Sequence, residues 1–409
     1  MEDTPSVERL SDFFAVGEEV TQDVFYGPRA SNEVGDFAQD LGKNALLVTD
    51  QGLSIAGHAS KIQHRLEKSG LKVTLFDQCI ENPTEASVQA CVDIAKAGQI
   101  DVIVGLGGGS SMDTAKGCNF ILTNGGRMSD YWGIGKATQD MLPLIALPTT
   151  AGTGSECQSF ALISQDQTHK KMACGDSKAL PRITILDPEL TLSQPKMVTA
   201  CTGIDALTHA LESAVTTKRS ELSDRHAQLA FKLIHENLPQ VFEVPDDVEA
   251  RGHVLLGASH AGAAIERSML GAAHSMANPL TAKYGIVHGV AVGLSLPVVM
   301  QFNAQCPESK SHYVKLARNS SLVPIASSDE EAFQALISRV YYLLSQAGFP
   351  SSLQELGVAE EDLNDLATEA SGQWTAGFNP RPLEVNDFAQ LYLSLFTTAP
   401  CQGEKERLG

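Results

Sequence analysis

Strand-like and helical segments alternate through the first half of this chain, and that alternation limits the folds open to it. Helical patterns separate short apolar runs at residues 44–50, 72–77, 101–105, 142–147 and 183–186. Short apolar runs separated by helices are typical of a parallel sheet with helices packed on both of its faces. The sequence therefore predicts an N-terminal α/β unit with a mainly parallel sheet.

The pattern changes after Pro195, where strand-like runs disappear and helical spacing continues through Ile204, Leu207 and Leu211. The chain has 409 residues, and a single hydrophobic core rarely grows beyond roughly 250–300 residues. We therefore predict two domains: an α/β dinucleotide-binding domain over residues 1–195 and an all-helical domain over residues 196–409. The cleft between them is the expected location of the active site.

The charge of the chain argues against polyanionic partners. The chain has 30 Lys and Arg residues and 49 Asp and Glu residues, which give a net charge of −19. Such a charge would repel nucleic acid and anionic membrane surfaces. No apolar run reaches the roughly 18 residues of a membrane-spanning helix, and the N-terminus lacks a signal-peptide pattern. The eight cysteines are scattered without a Cys-x-x-Cys pair, so reduced thiols and a cytoplasmic location are expected.

A glycine-rich turn follows the third predicted strand. Gly107, Gly108 and Gly109 precede Ser110, and a helical pattern follows from Thr114. Glycines allow a ligand to approach the backbone, and a helix N-terminus offers free N–H groups, so the turn suits a pyrophosphate. The alternative is a tight strand-to-helix turn without a ligand, because the string is not a standard G-x-G-x-x-G fingerprint.

Two further polar features lie where predicted strands end. Asp50 ends the first strand, where an acid can hydrogen-bond ribose hydroxyls, although Asp also favours a helix N-cap. Residues 149–156 (TTAGTGSE) follow a later strand. This segment combines hydroxyls with glycines and could line the same cofactor, or it could be an ordinary polar loop.

Histidines in the second half suggest a metal site. Asp205 and His209 are four residues apart in a predicted helix and so share one face. His274 and His288 each lie in a small, apolar segment that contains glycine. One carboxylate with three imidazoles suits Zn²⁺ or Fe²⁺ better than Mg²⁺ or Ca²⁺. A simple Asp–His hydrogen bond on the helix surface remains the alternative for the first pair.

With these motifs, nearly the whole chain resembles the group III, iron-containing (iron-activated) alcohol dehydrogenase family. The resemblance rests on residues 46–50 (LLVTD), 82–84 (NPT), 107–116 (GGGSSMDTAK), 148–156 (PTTAGTGSE), 202–210 (TGIDALTHA), His274 with Pro279, His288 with Gly289, and 379–381 (NPR). It implies the dehydroquinate synthase-like fold of iron-dependent alcohol dehydrogenases. The implied activity is hydride transfer between NAD(H) and a small alcohol or aldehyde, in a homodimer.

The resemblance also implies roles for individual residues. The metal would be Fe²⁺, with Zn²⁺ as the alternative, and its ligands would be Asp205, His209, His274 and His288. NAD would contact Asp50, Asn82, Gly108, Gly109, Ser110, Asp113, Thr149, Thr150, Thr153 and Lys171.

One position departs from the family pattern. Many members carry a second histidine in a His-x-x-x-His-Pro sequence, and Asn278 occupies that position here. Asparagine can hydrogen-bond but cannot take up a proton near neutral pH. We therefore expect Asn278 to be a hydrogen-bonding or shape residue of the substrate pocket rather than a proton shuttle.

Other functions make different demands on the sequence. A carboxylate substrate, as for a maleylacetate reductase or a hydroxyacid–oxoacid transhydrogenase, would need a cation in the cleft. Candidates are Lys171, Arg267, Lys283 and Arg381. A lyase of the dehydroquinate synthase type would need basic phosphate-clamping motifs, which are not evident. A non-enzymatic nucleotide sensor would not need four metal ligands, so a metal-dependent dehydrogenase is favoured.

Overall fold

The computed structural model describes residues 7–10, 22–168 and 170–397. Its strands are β1 (Glu8–Arg9), β2 (Asp23–Tyr26), β3 (Asn44–Val48), β4 (Lys72–Phe76), β5 (Val102–Gly107), β6 (Gly133–Ile134), β7 (Leu144–Pro148), β8 (Phe160–Ser164), β9 (Lys171–Gly175) and β10 (Ile183–Leu186). The helices of the first half are α1 (Val34–Gln39), α2 (Gln51–Ile55), α3 (His58–Lys68), α4 (Glu85–Gly98) and α5 (Gly109–Asn124).

Helices alone form the second half of the described chain, beyond residue 195. They are α6 (Lys196–Ser213), α7 (Glu221–Glu243), α8 (Val248–Ser268), α9 (Ala272–Tyr284), α10 (His288–Asn303), α11 (Pro307–Asn319), α12 (Asp329–Gln346), α13 (Leu363–Ser371) and α14 (Val385–Thr397), with short 3₁₀ turns between some of them. The predicted stripe of Ile204, Leu207 and Leu211 is fully buried in the helical core. No helix of the described residues is both long and apolar enough to span a bilayer.

The main sheet has seven strands in the order β1-β2-β10-β7-β5-β3-β4, and all its neighbours are parallel except β1 and β2. The central strands are buried on both faces, as a parallel sheet between helix layers requires. The five apolar runs found in the sequence form β3, β4, β5, β7 and β10. The predicted fold class, an α/β region with a mainly parallel sheet followed by a helical region, is confirmed.

A second sheet, of order β6-β9-β8, was not expected from the sequence. β8 and β9 form an antiparallel pair, and β8 also packs on α5. The change from sheet to helices falls between the end of β10 at Leu186 and the start of α6 at Lys196. The division into domains over residues 1–195 and 196–409 stays a prediction that agrees with this change.

The helix after the glycine-rich turn begins five residues earlier than the sequence pattern suggested. Gly108 is the extended N-cap residue and α5 starts at Gly109, not at Thr114. Because glycine has a poor helix propensity, the pattern placed the start too late. The first turn of α5, with its unpaired N–H groups, therefore lies within the glycine-rich segment itself.

The two halves of the chain meet at glycines. A Cβ atom on Gly152 would overlap Thr202 of α6, and one on Gly262 of α8 would overlap the backbone of Gly154. The loop after β7 thus packs directly on two helices of the second half. This close contact places the carboxyl edge of the main sheet beside the helical region.

Candidate functional site

The predicted cofactor residues gather at one edge of the main sheet. β3, β5 and β7 are neighbours in register, with Val48 opposite Gly105 and Gly107 opposite Pro148. The segments that follow these strands therefore emerge side by side. Asp50, the turn at Gly108 and the loop that begins at Thr149 are brought together, as the sequence predicted.

The glycine-rich turn is packed against the threonines of the neighbouring loop. A Cβ atom on Gly108 would lie 3.1 Å from Thr150 Cγ2, and one on Gly109 would lie 2.8 Å from Thr153 Cγ2. Since a side chain at Gly109 would collide with Thr153, glycine is required there by packing alone. The hydroxyls of the threonines and the N-terminal N–H groups of α5 form a polar edge suited to a pyrophosphate.

Asp50 and Asn82 occupy loop positions with defined backbone geometry. Asp50 is the N-cap of α2, and its Oδ1 accepts a hydrogen bond from the Leu53 N–H at 3.0 Å. Asp50 is therefore a helix cap, as the alternative interpretation held. The carboxylate has further acceptor sites, so capping does not prevent a hydrogen bond to a ribose hydroxyl. Asn82 follows β4 with a φ of 52°, a left-handed conformation that asparagine tolerates.

Asp113 contacts the loop that begins at Thr149. Its carboxylate accepts a hydrogen bond from Ser155 Oγ at 3.2 Å, and burial raises its pKa to about 6. The neighbouring Lys116 ammonium, also buried, donates to Ser155 O at 2.6 Å and to Phe160 O at 3.0 Å. The structure thus gives Asp113 a role in supporting the loop, and its direct contact with a cofactor stays a prediction.

Lys171 connects the two parts of the site electrostatically. It begins β9 and keeps contact with solvent, yet the protein atoms around its ammonium lower its pKa. The charges of Asp113 and Asp205 act against that shift. Lys171 is therefore within electrostatic range of both the glycine-rich helix and the histidine cluster.

All four predicted metal ligands come together in the helical half. Asp205 Oδ1 lies 3.3 Å from His209 Nε2, 3.4 Å from His274 Nε2 and 3.8 Å from His288 Nε2. Asp205 and His209 share one face of α6, His274 lies in the first turn of α9, and His288 begins α10. The ligand atoms of the first three lie within 4.8 Å of one another. His288 is the most accessible member, with 33% of its side chain exposed.

The donor atoms of this cluster fit a transition metal. Asp205 Oδ1 and His274 Nε2 are buried, and neither has a hydrogen-bond partner among the described residues. Burying such atoms without a partner is costly, and a cation between them would remove the cost. One carboxylate oxygen and three imidazole nitrogens are a donor set that suits Fe²⁺ or Zn²⁺.

Burial keeps two of the imidazoles in the neutral form that binds metals. It lowers the pKa of His209 to about 4 and that of His288 to about 3. Burial would also lower the pKa of His274, but the neighbouring carboxylates of Asp205 and Glu212 outweigh that effect and raise it to about 9. For Asp205, burial alone would raise the pKa, and the surrounding histidines instead lower it. The carboxylate is therefore ionised near neutral pH.

Glu212 is a supporting residue that the sequence analysis missed. Its Oε2 accepts a hydrogen bond from His274 Nδ1 at 2.6 Å, and its Oε1 accepts one from the Ala273 N–H at 2.6 Å. The residue is only 2% exposed. This pair of bonds orients the His274 ring so that Nε2 faces Asp205. The sequence did contain a signal for Glu212: it is seven residues after Asp205 and so lies on the same face of α6 as this proposed ligand.

Family models match both halves of the chain. The model described as iron-containing alcohol dehydrogenase covers residues 21–188, and the model of the C-terminal region of the Fe-containing alcohol dehydrogenase family covers residues 199–396. This chain belongs to the iron-containing alcohol dehydrogenase family. It is accordingly an enzyme, an oxidoreductase.

Similar proteins span almost the same length as this iron-containing alcohol dehydrogenase. The NAD-dependent methanol dehydrogenase of Bacillus methanolicus is 35% identical over 368 residues, covering 89% of this chain and 96% of that protein. A crystal structure of 1,3-propanediol oxidoreductase has a TM-score of 0.88 at 33% identity, with 91% and 97% of the two chains covered. Sulfoacetaldehyde reductase of Bifidobacterium kashiwanohense, in complex with NAD⁺, has a TM-score of 0.83 at 28% identity, with 92% and 97% covered.

Asn278, the departure from the family's His-x-x-x-His-Pro pattern, lies one turn after His274 on α9. It is half-buried, and its Nδ2 donates to Gln373 Oε1 at 3.0 Å. The residue therefore hydrogen-bonds, as expected, and it fixes a neighbouring segment of this dehydrogenase. Its part in substrate binding stays a prediction.

The four candidate cations for a substrate carboxylate have different surroundings in this dehydrogenase. Lys283 is paired with Asp362 at 2.8 Å, and Arg381 lies 3.7 Å from the centroid of the Phe302 ring. Arg267 donates to Ala263 O within its own helix at 2.9 Å. Lys171 is the candidate whose charge acts on Asp205 and His288. These four described residues therefore do not form a cluster of cations dedicated to a carboxylate.

Proposed function

We propose that this enzyme is an NAD(H)-dependent and metal-dependent alcohol dehydrogenase or aldehyde reductase that acts on small alcohols and aldehydes. The observation that carries the proposal is the cluster of Asp205, His209, His274 and His288, with buried donor atoms that lack partners among the described residues. The loop after β7 contacts both α6, which carries Asp205 and His209, and the glycine-rich start of α5. The names of the methanol dehydrogenase and of the NAD⁺ complex support the choice of NAD.

Each group has a distinct part in the proposed reaction. NAD(H) supplies the hydride chemistry, and the bound metal supplies Lewis acidity toward the substrate oxygen. The chain positions both groups. The α5 N-terminus and the threonines near Gly108 hold the pyrophosphate, and Glu212 fixes the ring of His274. The loop that begins at Thr149 packs against α6 and α8, and exclusion of water from the cleft would strengthen electrostatic interactions there.

Fe²⁺ is the metal that we assign, with Zn²⁺ as the alternative. The mixed carboxylate and imidazole donor set fits either ion, and the family description favours iron. The homodimeric assembly and the cytoplasmic location inferred from the sequence stay predictions.

A panel assay with purified enzyme tests the proposed function. We expect NADH oxidation with short aldehydes and NAD⁺ reduction with the matching alcohols, in samples loaded with Fe²⁺ or Zn²⁺. Reaction with maleylacetate or an oxoacid, but not with simple aldehydes, would favour the carboxylate alternative. Absence of any redox activity in metal-loaded samples would overturn the proposal and favour a lyase or a nucleotide sensor.

Asp50 should determine the preference for NADH over NADPH. Its carboxylate at the end of β3 would repel a 2′-phosphate, and like charges about 4 Å apart interact by roughly 1–4 kcal/mol, depending on screening. We expect Asp50→Asn, which keeps the ability to cap α2, to lower the KM for NADPH by about tenfold or more. Steady-state kinetics with both cofactors measure the effect.

Two results would show that Asp50 has no such role. One is that the wild-type enzyme uses NADPH as well as NADH, and the other is that Asp50→Asn leaves the ratio of the two KM values unchanged. Asp50→Ala serves as the comparison, because it removes both the charge and the cap. If only Asp50→Ala changes the kinetics, the cap rather than the charge is responsible.

A further inference from the structure

We propose that Phe160 and Trp374 form an aromatic wall that restricts the enzyme to short, unbranched aldehydes and alcohols. Their ring centroids lie 6.4 Å apart with an interplanar angle of 20°. The inference rests on the proposed function, because it concerns the substrate of the same site. Phe160 belongs to the α/β half and Trp374 to the helical half, so this ring pair bridges the two sides of the cleft.

Trp374 is held close to a predicted metal ligand. It lies between Gln373, which accepts a hydrogen bond from Asn278 at 3.0 Å, and Thr375, whose hydroxyl lies 2.7 Å from that of Ser275. Asn278 and Ser275 are within one helical turn of His274 on α9, and one turn rises about 5.4 Å. The segment that carries Trp374 is therefore anchored beside the metal-binding end of α9.

A second ring supports Trp374 from behind. Phe378 packs edge-on against it, with centroids 5.8 Å apart at an angle of 83°. Edge-to-face pairs at such distances are favourable. Although 45% of Trp374 is exposed, its orientation is thus set by contacts on two sides.

Phe160 is fixed from the other side of the cleft. Its carbonyl accepts a hydrogen bond from the Lys116 ammonium at 3.0 Å. The preceding residue, Ser159, donates its N–H to Glu266 Oε2 at 2.9 Å and its hydroxyl to Oε1 at 2.5 Å. Glu266 lies in the last turns of α8, so the start of β8 is tied to the helical half.

The separation of the two rings indicates a barrier rather than a binding slot. An alkyl chain between two parallel rings needs about 3.5–4.0 Å on each side, or roughly 7–8 Å in total. The observed 6.4 Å is below that value and lies within the range of direct aromatic pairs. In the proposed arrangement, a bulky substituent that extends toward the pair would have to displace a ring, whereas a short chain would leave both rings in place.

Kinetics with a short and a bulky aldehyde test the wall. The measured quantity is kcat/KM for benzaldehyde divided by kcat/KM for acetaldehyde, in the metal-loaded enzyme with NADH. We expect Phe160→Ala and Trp374→Ala each to raise this ratio by at least about tenfold, because one methylene group in a pocket already discriminates by roughly 10–200-fold. The double variant should add little, since removing either ring opens the same barrier.

Matched variants separate the wall from general effects of losing an aromatic ring. Tyr342→Ala removes a ring that is 43% exposed on α12, next to Arg339 and outside the cleft residues, and should leave the ratio unchanged. Trp374→Phe keeps a ring and should retain most of the discrimination. Phe160→Leu replaces Phe160→Ala in the test if the alanine variant is unstable. We expect a smaller rise in the kcat/KM ratio with Phe160→Leu, because leucine retains part of the bulk.

The outcomes distinguish this inference from the proposed function. Activity on acetaldehyde with an unchanged ratio in both ring variants would overturn the wall and leave the dehydrogenase assignment intact. An equal loss of activity on both aldehydes would also overturn it, since the rings would then serve stability alone. A wild-type enzyme inactive on every aldehyde would refute the proposed function itself.

Discussion

Replacing His288 by alanine is expected to lower turnover by at least about a hundredfold, because the substitution removes one of the four proposed metal ligands. Loss of a mere supporting residue around a metal already costs up to about a hundredfold. His288 is the most exposed of the four, with 33% of its side chain accessible, so its removal should disturb the helical core least. The melting temperature should fall only by the lost contribution of metal binding.

Metal content per chain, measured by elemental analysis beside activity before and after chelation, checks this prediction. His253→Ala is the matched control, because His253 is half-buried on α8 and bonds Asn237 at 3.2 Å, outside the cluster. It should keep both metal and activity. Full activity in a metal-free, chelated wild-type sample would contradict the metal-dependent mechanism.

Glu212→Gln should weaken metal binding by about 10–100-fold without removing any ligand. The carboxylate accepts two hydrogen bonds, from the Ala273 N–H and from His274 Nδ1. A glutamine keeps the size but has one oxygen and one NH₂ group, so it can accept only one of the two bonds in the same geometry. His274 would then lose its fixed orientation toward Asp205.

Competition with a chromogenic chelator gives the metal Kd directly and does not depend on catalysis. Glu243→Gln, at the exposed end of α7, is the control and should bind metal as the wild type does. An unchanged Kd in Glu212→Gln would show that the packing of α9 alone orients His274. Circular dichroism and thermal unfolding of the metal-free protein separate lost affinity from lost structure.

The fold was predictable where the hydrophobic pattern is strong. The five apolar runs are adjacent strands of one sheet. They were recognisable because a strand that is buried on both faces has apolar residues at nearly every position. β2 was missed because it lies toward the sheet edge and fully buries only one of its four residues. β8 and β9 were missed because the antiparallel pair depends on contacts with α5 and carries no clear alternation of its own.

The grouping of the four proposed metal ligands was predictable from the sequence, whereas the residues that support them were less so. The motifs around Asp205, His209, His274 and His288 predict a shared site, and the structure brings the four side chains together. The sequence spacing between α6, α9 and α10 carries no distance information by itself. Glu212 was missed although it shares the α6 face of Asp205, because its hydrogen bond to His274 joins α6 to α9 and the sequence carries no information on that distance. The early start of α5 was missed because tertiary packing overrides the low helix propensity of glycine at Gly109.

The contact between Gly154 and Gly262 has a mechanical consequence for this enzyme. Main chain meets main chain there, and a Cβ atom on either glycine would overlap the backbone of the other segment. No side-chain rotamer can adjust at such a point, so it acts as a fixed spacer between the loop that borders the glycine-rich turn and the helices beside the metal ligands. In the proposed reaction, the spacing between the cofactor site and the metal site would depend on this backbone contact, so a side chain at either glycine is expected to change that spacing.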